Sequence, residues 1–227
     1  MQKIYPLKRK NAPLTLHQKV FRFCKRSFDI LASLVMMVVL FPVCLVIAIV
    51  AAIDTKSSPL FIQTRMGRNN RPFRMVKFRT MSTNAPANVA SHKLHHAEAY
   101  ISPIGGALRR LSLDELPQLW NIFLGSMSFV GPRPVVLTEG DLLDLRSKNG
   151  ANLVRPGLTG WAQVNGRDLV TVADKARLDA FYADNLSLAL DCKVLLKTVA
   201  YVLRSQDVAE GDSPTVTTTG YSKERSA

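Results

Sequence analysis

The chain has 227 residues and carries 30 Lys and Arg against 17 Asp and Glu, a formal net charge of +13. This length fits one domain with an accessory element, and the positive surplus indicates an anionic partner: phosphate-bearing substrates, nucleic acid or an anionic membrane face. Aromatic residues make up only 7% of the chain, which disfavours a single-strand nucleic-acid binder built on stacked bases. Cys24, Cys44 and Cys192 lack the spacing of a metal site or a redox pair, which indicates a reducing compartment without a disulfide framework.

An uncharged run, residues 30–53, follows a basic N-terminal segment, 1–24. A straight helix of this length would measure about 36 Å, enough to cross a hydrocarbon core of roughly 30 Å. The sequence on both sides of the run is basic, however, and the positive-inside rule places both sides in the cytoplasm. Pro42 lies mid-run, where it kinks or breaks a helix. These features favour a re-entrant membrane helix over 25–56 that is broken near Pro42; a straight span and a helix buried in a soluble core remain alternatives.

Residues 59–81 are basic and alternate loosely between apolar and polar side chains, around a turn marked by Gly67 and Asn69-Asn70. This pattern predicts two short strands in a hairpin. Its Arg and Lys side chains suit either a surface that touches anionic headgroups or a phosphate-binding face, because guanidinium groups pair with phosphate oxygens.

Three other segments are interpreted from composition. Residues 82–106 resemble a loop, and solvated histidines are favoured there over a zinc site because His92, His95 and His96 have no Cys partner. Residues 172–204 predict a long amphipathic helical stretch that lies on the membrane surface or covers the core. The tail, 207–227, is rich in Ser, Thr, Gly and charge and is predicted to be disordered.

Asp114 and Glu115 stand side by side in LRRLSLDELPQLW, residues 108–120. Ser112 and Glu115 match the spacing of a capping box, and acidic residues suit the first turn of a helix. If Asp114 is the N-cap instead, Pro117 falls in the first turn, where its missing N–H costs little. In both cases the acid pair is predicted at a helix N-terminus, an end that also favours phosphate groups, and the helix is predicted to end near Gly125. From these residues alone, helix capping and a reactive centre are both open.

Two segments rich in Gly and Pro follow. In GPRP, residues 131–134, Pro132 and Pro134 fix the backbone around Arg133. LVRPGLTGWAQVNGR, residues 153–167, is either a loop that carries polar groups to one place or a structural corner anchored by Trp161; its polar side chains include Arg155, Gln163, Asn165 and Arg167.

Four motifs in order resemble the bacterial sugar transferases known as small monotopic phosphoglycosyl transferases: KRSFDILAS, RMGRNNRPFRMVKFRTM, LRRLSLDELPQLWNIFLGSMSFVGPRP and RPGLTGWAQVNGR. The resemblance runs from about Lys25 to about Arg204. It implies an α+β, mostly helical protein of the bacterial inner membrane, with a re-entrant helix over 25–56. It also implies a small catalytic domain over 57–206 that faces the cytoplasm and has short strands and interfacial amphipathic helices.

The resemblance also implies a reaction. A UDP-sugar gives its sugar-1-phosphate to undecaprenyl phosphate and UMP is released, as the first step of exopolysaccharide, capsule or other glycoconjugate assembly. Asp114 would be the nucleophile of a covalent intermediate and a contact of Mg²⁺, with Glu115 as its partner. An anionic nucleophile and anionic substrates need positive charge around them. The candidate substrate-binding residues are Lys77, Arg79, Arg109, Arg110, Pro132, Arg133, Arg155, Gln163 and Arg167.

Three positions depart from the pattern of the family. Phe41-Pro42 replaces a frequent Ser-Pro, Ser126 stands where Asp is frequent, and Gly106 stands where a further Arg is frequent. A serine hydroxyl beside the proline would bind backbone groups freed at the break. Ser33, the only hydroxyl of the uncharged run, is expected to compensate.

Two competing interpretations are a non-catalytic membrane-tethered protein that binds polyanions or anionic lipid, and a spanning subunit of a transport or polymerisation complex. An acid pair at the centre of a basic face disfavours the first, and a membrane segment without charge disfavours the second. The predicted partners are a UDP-sugar, undecaprenyl phosphate and the inner leaflet, without nucleic acid. A homodimer and downstream glycosyltransferases are further candidate partners, and the sugar is left open.

Overall fold

The computed structural model describes residues 16–86, 97–166 and 171–203. The predicted disordered tail, the three loop histidines and Arg167 lie outside these ranges. Within them, helices and short strands mix as the predicted α+β class requires. The elements, in chain order, are α1 (Leu16–Val39), α2 (Phe41–Thr55), β1 (Leu60–Met66), β2 (Pro72–Phe78), α3 (Pro103–Arg110), α4 (Gln118–Leu124), β3 (Ser128–Val130), α5 (Gly140–Asn149), β4 (Gly157–Thr159), α6 (Val172–Asp184) and α7 (Leu188–Leu203).

The uncharged run is broken at Leu40, and the predicted break near Pro42 is confirmed. Helices α1 and α2 are bent by 66° at this point. Pro42 lies in the first turn of α2, where its missing N–H would have no helical partner in any case. Among the described residues, neither helix alone has the length and apolarity of a membrane span, whereas Lys19–Val39 and Phe41–Thr55 meet both criteria as a bent pair.

The expected role of Ser33 at the break is wrong. Its hydroxyl donates to Ile30 O at 3.1 Å, one turn nearer the N-terminus and two turns away from Pro42. The backbone ladder continues on both sides of the break, because Leu40 N donates to Met36 O at 2.9 Å and Cys44 N donates to Leu40 O at 2.8 Å.

Both helices expose many large apolar side chains. Leu31 is 63% exposed, Val38 70%, Phe41 64% and Ile53 72%. A folded chain in water would bury such a surface, so α1 and α2 present an apolar face that requires a partner outside the chain.

The predicted hairpin is confirmed. Strands β1 and β2 pair antiparallel, from Leu60 opposite Phe78 to Met66 opposite Pro72. Asn69 and Asn70, in the turn, both have φ of +56°, a left-handed conformation that Asn adopts more readily than most residues.

Helix α4 is fastened to the hairpin by one side chain. Asn121 Oδ1 accepts a hydrogen bond from Val76 N at 3.0 Å, and Asn121 Nδ2 donates to Arg74 O at 2.8 Å. The amide therefore bonds the exposed edge of β2 as a neighbouring strand would. As predicted, α4 ends at Gly125, which has a φ of +90° and closes the helix in a left-handed conformation that favours glycine.

Strands β3 and β4 form a parallel pair that no sequence pattern predicted. Ser128 lies opposite Gly157, and Val130 lies opposite Thr159. Gly131 and Gly157 touch backbone to backbone: a Cβ added to Gly157 would lie 2.1 Å from Gly131 N. Only glycine permits this approach, which fixes GPRP against the segment that starts at Arg155.

The prediction of one long helical stretch over 172–204 is wrong, because α6 and α7 are separate helices. Asn185 N donates to Phe181 O and Tyr182 O and ends α6, and Ser187 Oγ accepts from Leu190 N at 3.3 Å at the start of α7. Both helices contribute to one core, in which the most buried side chains are Leu119, Ile122, Met127, Val130, Tyr182 and Val194. A membrane-surface role for these helices stays a prediction.

Candidate active site

A cavity of about 520 Å³ opens between α1, α7 and the segment that joins α3 to α4. Charged side chains line it: Lys77, Arg109, Asp114, Glu115, Arg133, Lys175 and Asp179. Apolar side chains line it as well, among them Phe28, Ala32, Met36, Leu119, Leu195 and Val202. A ligand that combines an anionic group with an apolar chain would find matching side chains for both parts.

Asp114 and Glu115 lie in a single 3₁₀ turn, Leu113–Glu115, before α4. The predicted capping box is wrong, because Ser112 has a φ of +56° and its side chain makes no capping hydrogen bond; an N-cap normally has an extended backbone. Asp114 is not the cap of α4 either, since that helix begins at Gln118 after Pro117. The acid pair therefore precedes the α-helix instead of lying in its first turn.

Glu115 is held by two cations. Its Oε1 accepts from Lys77 Nζ at 2.7 Å and from Arg133 Nη2 at 2.9 Å. Burial alone raises the pKa of Glu115, but the charges and hydrogen bonds of Arg133 and Lys77 outweigh burial and hold that pKa well below its ordinary range. Glu115 is therefore ionised at neutral pH, and it serves to fix Lys77 and Arg133.

Asp114 has a different environment. Its side chain is buried, and Lys77 Nζ lies 3.9 Å from its Oδ2, an ion-pair distance beyond hydrogen-bond length. Burial, together with the charge of Glu115, raises the pKa of Asp114, and the charges of Lys77 and Arg109 partly offset this. No hydrogen bond from a described residue occupies its carboxylate, so Asp114 faces the cavity with oxygens available to a ligand.

The structure brings some of the predicted substrate-binding residues to the acid pair. Lys77, Arg109, Arg133 and Gln163 line the same cavity as Asp114. Pro132 is buried behind Arg133, and its carbonyl accepts from Gly157 N at 2.9 Å.

Three predicted residues lie away from the cavity. Arg79 donates to Ser58 O at 2.9 Å and to Leu60 O at 3.3 Å, Arg155 donates to Gly125 O at 2.9 Å, and Arg110 is exposed on α3. Arg79 and Arg155 bind backbone carbonyls, a use of arginine that the amino-acid sequence does not distinguish from phosphate binding.

Sequence reasoning missed the contribution of α5 and α6. Asp179 lines the cavity and accepts from Arg146 Nε at 2.9 Å and Nη2 at 2.6 Å. Arg146 Nη1 donates in turn to Arg133 O at 2.9 Å. This buried pair therefore fixes the backbone of the residue whose side chain holds Glu115. Lys175 and Asp179 lie one turn apart on a helix, a pattern that gives no sign of a cavity.

Comparison with known proteins places these residues in a family. The profile described as bacterial sugar transferase matches residues 20–205. The undecaprenyl-phosphate glucose phosphotransferase of Komagataeibacter xylinus is 39% identical over 185 residues, which cover 77% of this chain and 35% of the relative. The UDP-N-acetylgalactosamine-undecaprenyl-phosphate N-acetylgalactosaminephosphotransferase of Aeromonas hydrophila is 34% identical over 83% of this chain and 45% of the relative.

A shorter relative is matched over most of its length. The exopolysaccharide production protein ExoY of Rhizobium meliloti is 37% identical over 202 residues, which cover 80% of this chain and 86% of the relative. The chain therefore spans less than half of the first two relatives and most of the third.

Proposed function

Because the chain belongs to the bacterial sugar transferase family, we propose that it transfers a sugar-1-phosphate from a UDP-sugar to undecaprenyl phosphate and releases UMP. The observation that carries this proposal is the Asp114 carboxylate in a cavity that both charged and apolar side chains line. The cationic side chains suit the diphosphate of the donor and the phosphate of the acceptor. The apolar side chains, which include Phe28, Ala32 and Met36 of α1, suit the polyprenyl chain.

The names of relatives support the same substrates. Two of them name undecaprenyl phosphate together with glucose or N-acetylgalactosamine, and a third names exopolysaccharide production. On this basis we place the chain at the start of exopolysaccharide or a related glycan assembly. A homodimer and downstream glycosyltransferases stay predictions.

The reaction proceeds in two displacements. An oxygen of Asp114 attacks the phosphorus that carries the sugar, the new P–O bond forms, and the bond to the UMP oxygen breaks so that UMP leaves with the electron pair. A phosphate oxygen of the acceptor then attacks the same phosphorus and displaces the Asp114 carboxylate. The acceptor nucleophile is already anionic, so the second step needs no general base. Lys77, Arg109 and Arg133 stabilise charge on the transferring phosphate.

The donor set of the acid pair fits Mg²⁺. Magnesium is held by one or two carboxylates together with phosphates and water. Asp114 has oxygens available, whereas Glu115 Oε1 already accepts from Lys77 and Arg133, so Asp114 would be the main protein ligand. When bound, the metal ion would neutralise part of the negative charge on the diphosphate. No group of three or more His, Cys, Asp or Glu side chains assembles among the residues described, so substrate oxygens and water would complete the coordination.

The decisive assay is UMP release by the full-length protein reconstituted in a bilayer with Mg²⁺. It uses a panel of UDP-sugars with and without undecaprenyl phosphate. We expect sustained release only with the matching donor and the lipid acceptor together, and the responding donor names the sugar. A folded, inserted protein that releases no UMP with any donor would favour the non-catalytic binding protein.

We also propose that α1 and α2 form a re-entrant hairpin in the bacterial inner membrane, with the catalytic domain facing the cytoplasm. The 66° bend at Leu40 and the exposed apolar face of both helices support this. The basic sequence on both sides supports it independently.

Cysteine labelling tests this topology. Single cysteines at Lys19 and Lys56, both exposed on either side of the helix pair, are introduced after Cys24, Cys44 and Cys192 are replaced by Ser. We expect an impermeant maleimide to label both positions in inverted vesicles and neither in intact spheroplasts. A cysteine at Lys19 and one at Lys56 that label from opposite sides would establish a straight span.

A further inference from the structure

Two arginines, Arg26 and Arg155, bind carbonyls at the C-terminal end of α4, the end opposite the acid pair. Arg22 lies one turn before Arg26, and Arg68 binds the chain two residues before Arg155. We call these four residues, which come from three separate segments, the arginine cluster. Because α4 has seven residues, its length separates the cluster from the acid pair by about 10 Å. None of the four lines the cavity that holds Asp114.

Contacts to backbone carbonyls hold three members of the cluster in place. Arg26 donates to Ile122 O and to Phe123 O, both at 2.7 Å. Arg155 Nε donates to Gly125 O at 2.9 Å. Arg68 Nε donates to Leu153 O at 3.0 Å, two residues before Arg155.

Arg22 is the exception. It lies one turn before Arg26 on α1, and no described residue forms a hydrogen bond or an ion pair with it. Burial, together with the charges of Arg68 and Arg155, lowers the pKa of Arg22. Burial and the charges of Arg26 and Arg68 likewise lower the pKa of Arg155, with Asp29 acting in the opposite direction.

A partly buried guanidinium among like charges is destabilising unless an anion accompanies it. The carboxylate of Asp29 partly compensates Arg155, but among the described residues no ion pair joins Asp29 to Arg22, and Asp29 Oδ1 accepts from Phe129 N. The cluster therefore presents positive charge, on guanidinium groups that backbone contacts hold in place, in an arrangement that suits an anion.

We propose that the arginine cluster binds a phosphate group, supplied by the headgroup of an anionic phospholipid or by free phosphate. Guanidinium groups match phosphate oxygens with paired, charge-assisted hydrogen bonds. The surroundings favour the lipid source, since Val20 and Phe23 on the same turns of α1 are 53% and 73% exposed and offer apolar contact for an acyl chain. This site is separate from that of the polyprenyl acceptor and goes beyond the proposed transfer reaction.

The test measures the thermal midpoint of the full-length protein in a neutral detergent. The probes are dihexanoyl phosphatidylglycerol and inorganic phosphate, each titrated separately. The test variant is Arg22→Gln, and the control is Arg71→Gln, an exposed arginine in the turn between β1 and β2 that lies outside the arginine cluster. We expect a saturable rise of the midpoint in the wild type and the control, with affinity weakened roughly tenfold in Arg22→Gln.

The source and the role of Arg22 are both decided by the same experiment. A response to the lipid that exceeds the response to phosphate assigns the site to a headgroup; equal responses, both weakened in Arg22→Gln, assign it to free phosphate. Without ligand, Arg22→Gln should melt at the wild-type midpoint or above it, because the substitution relieves repulsion. A lower midpoint without ligand, or equal ligand responses in Arg22→Gln and wild type, overturns the proposal.

Discussion

Asp114→Asn is expected to abolish sugar-phosphate transfer while the chain stays folded. Loss of a covalent nucleophile typically reduces turnover by about a thousandfold or more. Burial raises the pKa of Asp114, so its ionised form is destabilising at neutral pH, and Asn removes that charge. The thermal midpoint of the variant should therefore equal or exceed that of the wild type, which separates a chemical role of Asp114 from a structural one.

The half-reaction gives the clearest measurement. Wild-type protein incubated with the matching UDP-sugar and Mg²⁺, without acceptor, should gain the mass of one sugar phosphate and release one equivalent of UMP. Asp114→Asn should show neither signal, whereas Asp144→Asn, an exposed carboxylate on α5, should behave as the wild type. Substantial turnover in Asp114→Asn would remove Asp114 as the nucleophile.

Glu115→Gln is expected to lose both activity and stability, in contrast to Asp114→Asn. The substitution leaves Lys77 and Arg133 facing each other without the carboxylate that now accepts from both. Removal of one partner from a buried ion pair typically costs about 3 kcal/mol or more, and the partial exposure of Arg133 places this case near the lower end. Activity should fall by about a hundredfold or more, since Lys77 and Arg133 would no longer be positioned on the phosphate.

The stability effect of Glu115→Gln should depend on pH. The folded state lowers the pKa of Glu115, so its stabilisation is fully present above the unfolded value of about 4.3 and is lost as the pH falls towards the folded value. The difference in thermal midpoint between wild type and Glu115→Gln should therefore be largest near pH 7 and shrink below about pH 4. A difference that stays constant down to pH 3 would show that Glu115 acts through packing.

Local sequence patterns predicted the elements whose causes are local. The hairpin follows from alternation around Asn69-Asn70, the break from Pro42 in an apolar run, and the end of α4 from Gly125. In each case the residues that determine the element lie within it or directly beside it.

The features that sequence reasoning missed depend on distant contacts. Strands β3 and β4 have three residues each and exist because Gly131 and Gly157 touch across the fold. Ser112 does not act as a cap because its backbone is left-handed, a conformation that the capping-box spacing does not reveal. Arg79 and Arg155 were predicted in the site but lie outside it, because they donate hydrogen bonds to backbone carbonyls elsewhere. Asp179 lines the cavity although no sequence pattern indicated it, and its partner Arg146 lies 33 residues away along the chain.

The contacts of α1 limit how this protein can be produced in a water-soluble form. Lys25 Nζ binds Asp191 at 2.5 Å, Arg26 binds the end of α4, and Asp29 accepts from Phe129 N at 3.2 Å. Further along the same helix, Phe28, Ala32 and Met36 form one wall of the cavity. A shortened chain that begins after α2 would lack the apolar helices. It would also leave Asp191 without Lys25, its cationic partner, and would open the cavity on one side. Soluble variants are better sought by recoding the exposed apolar positions of α1 and α2 than by truncation.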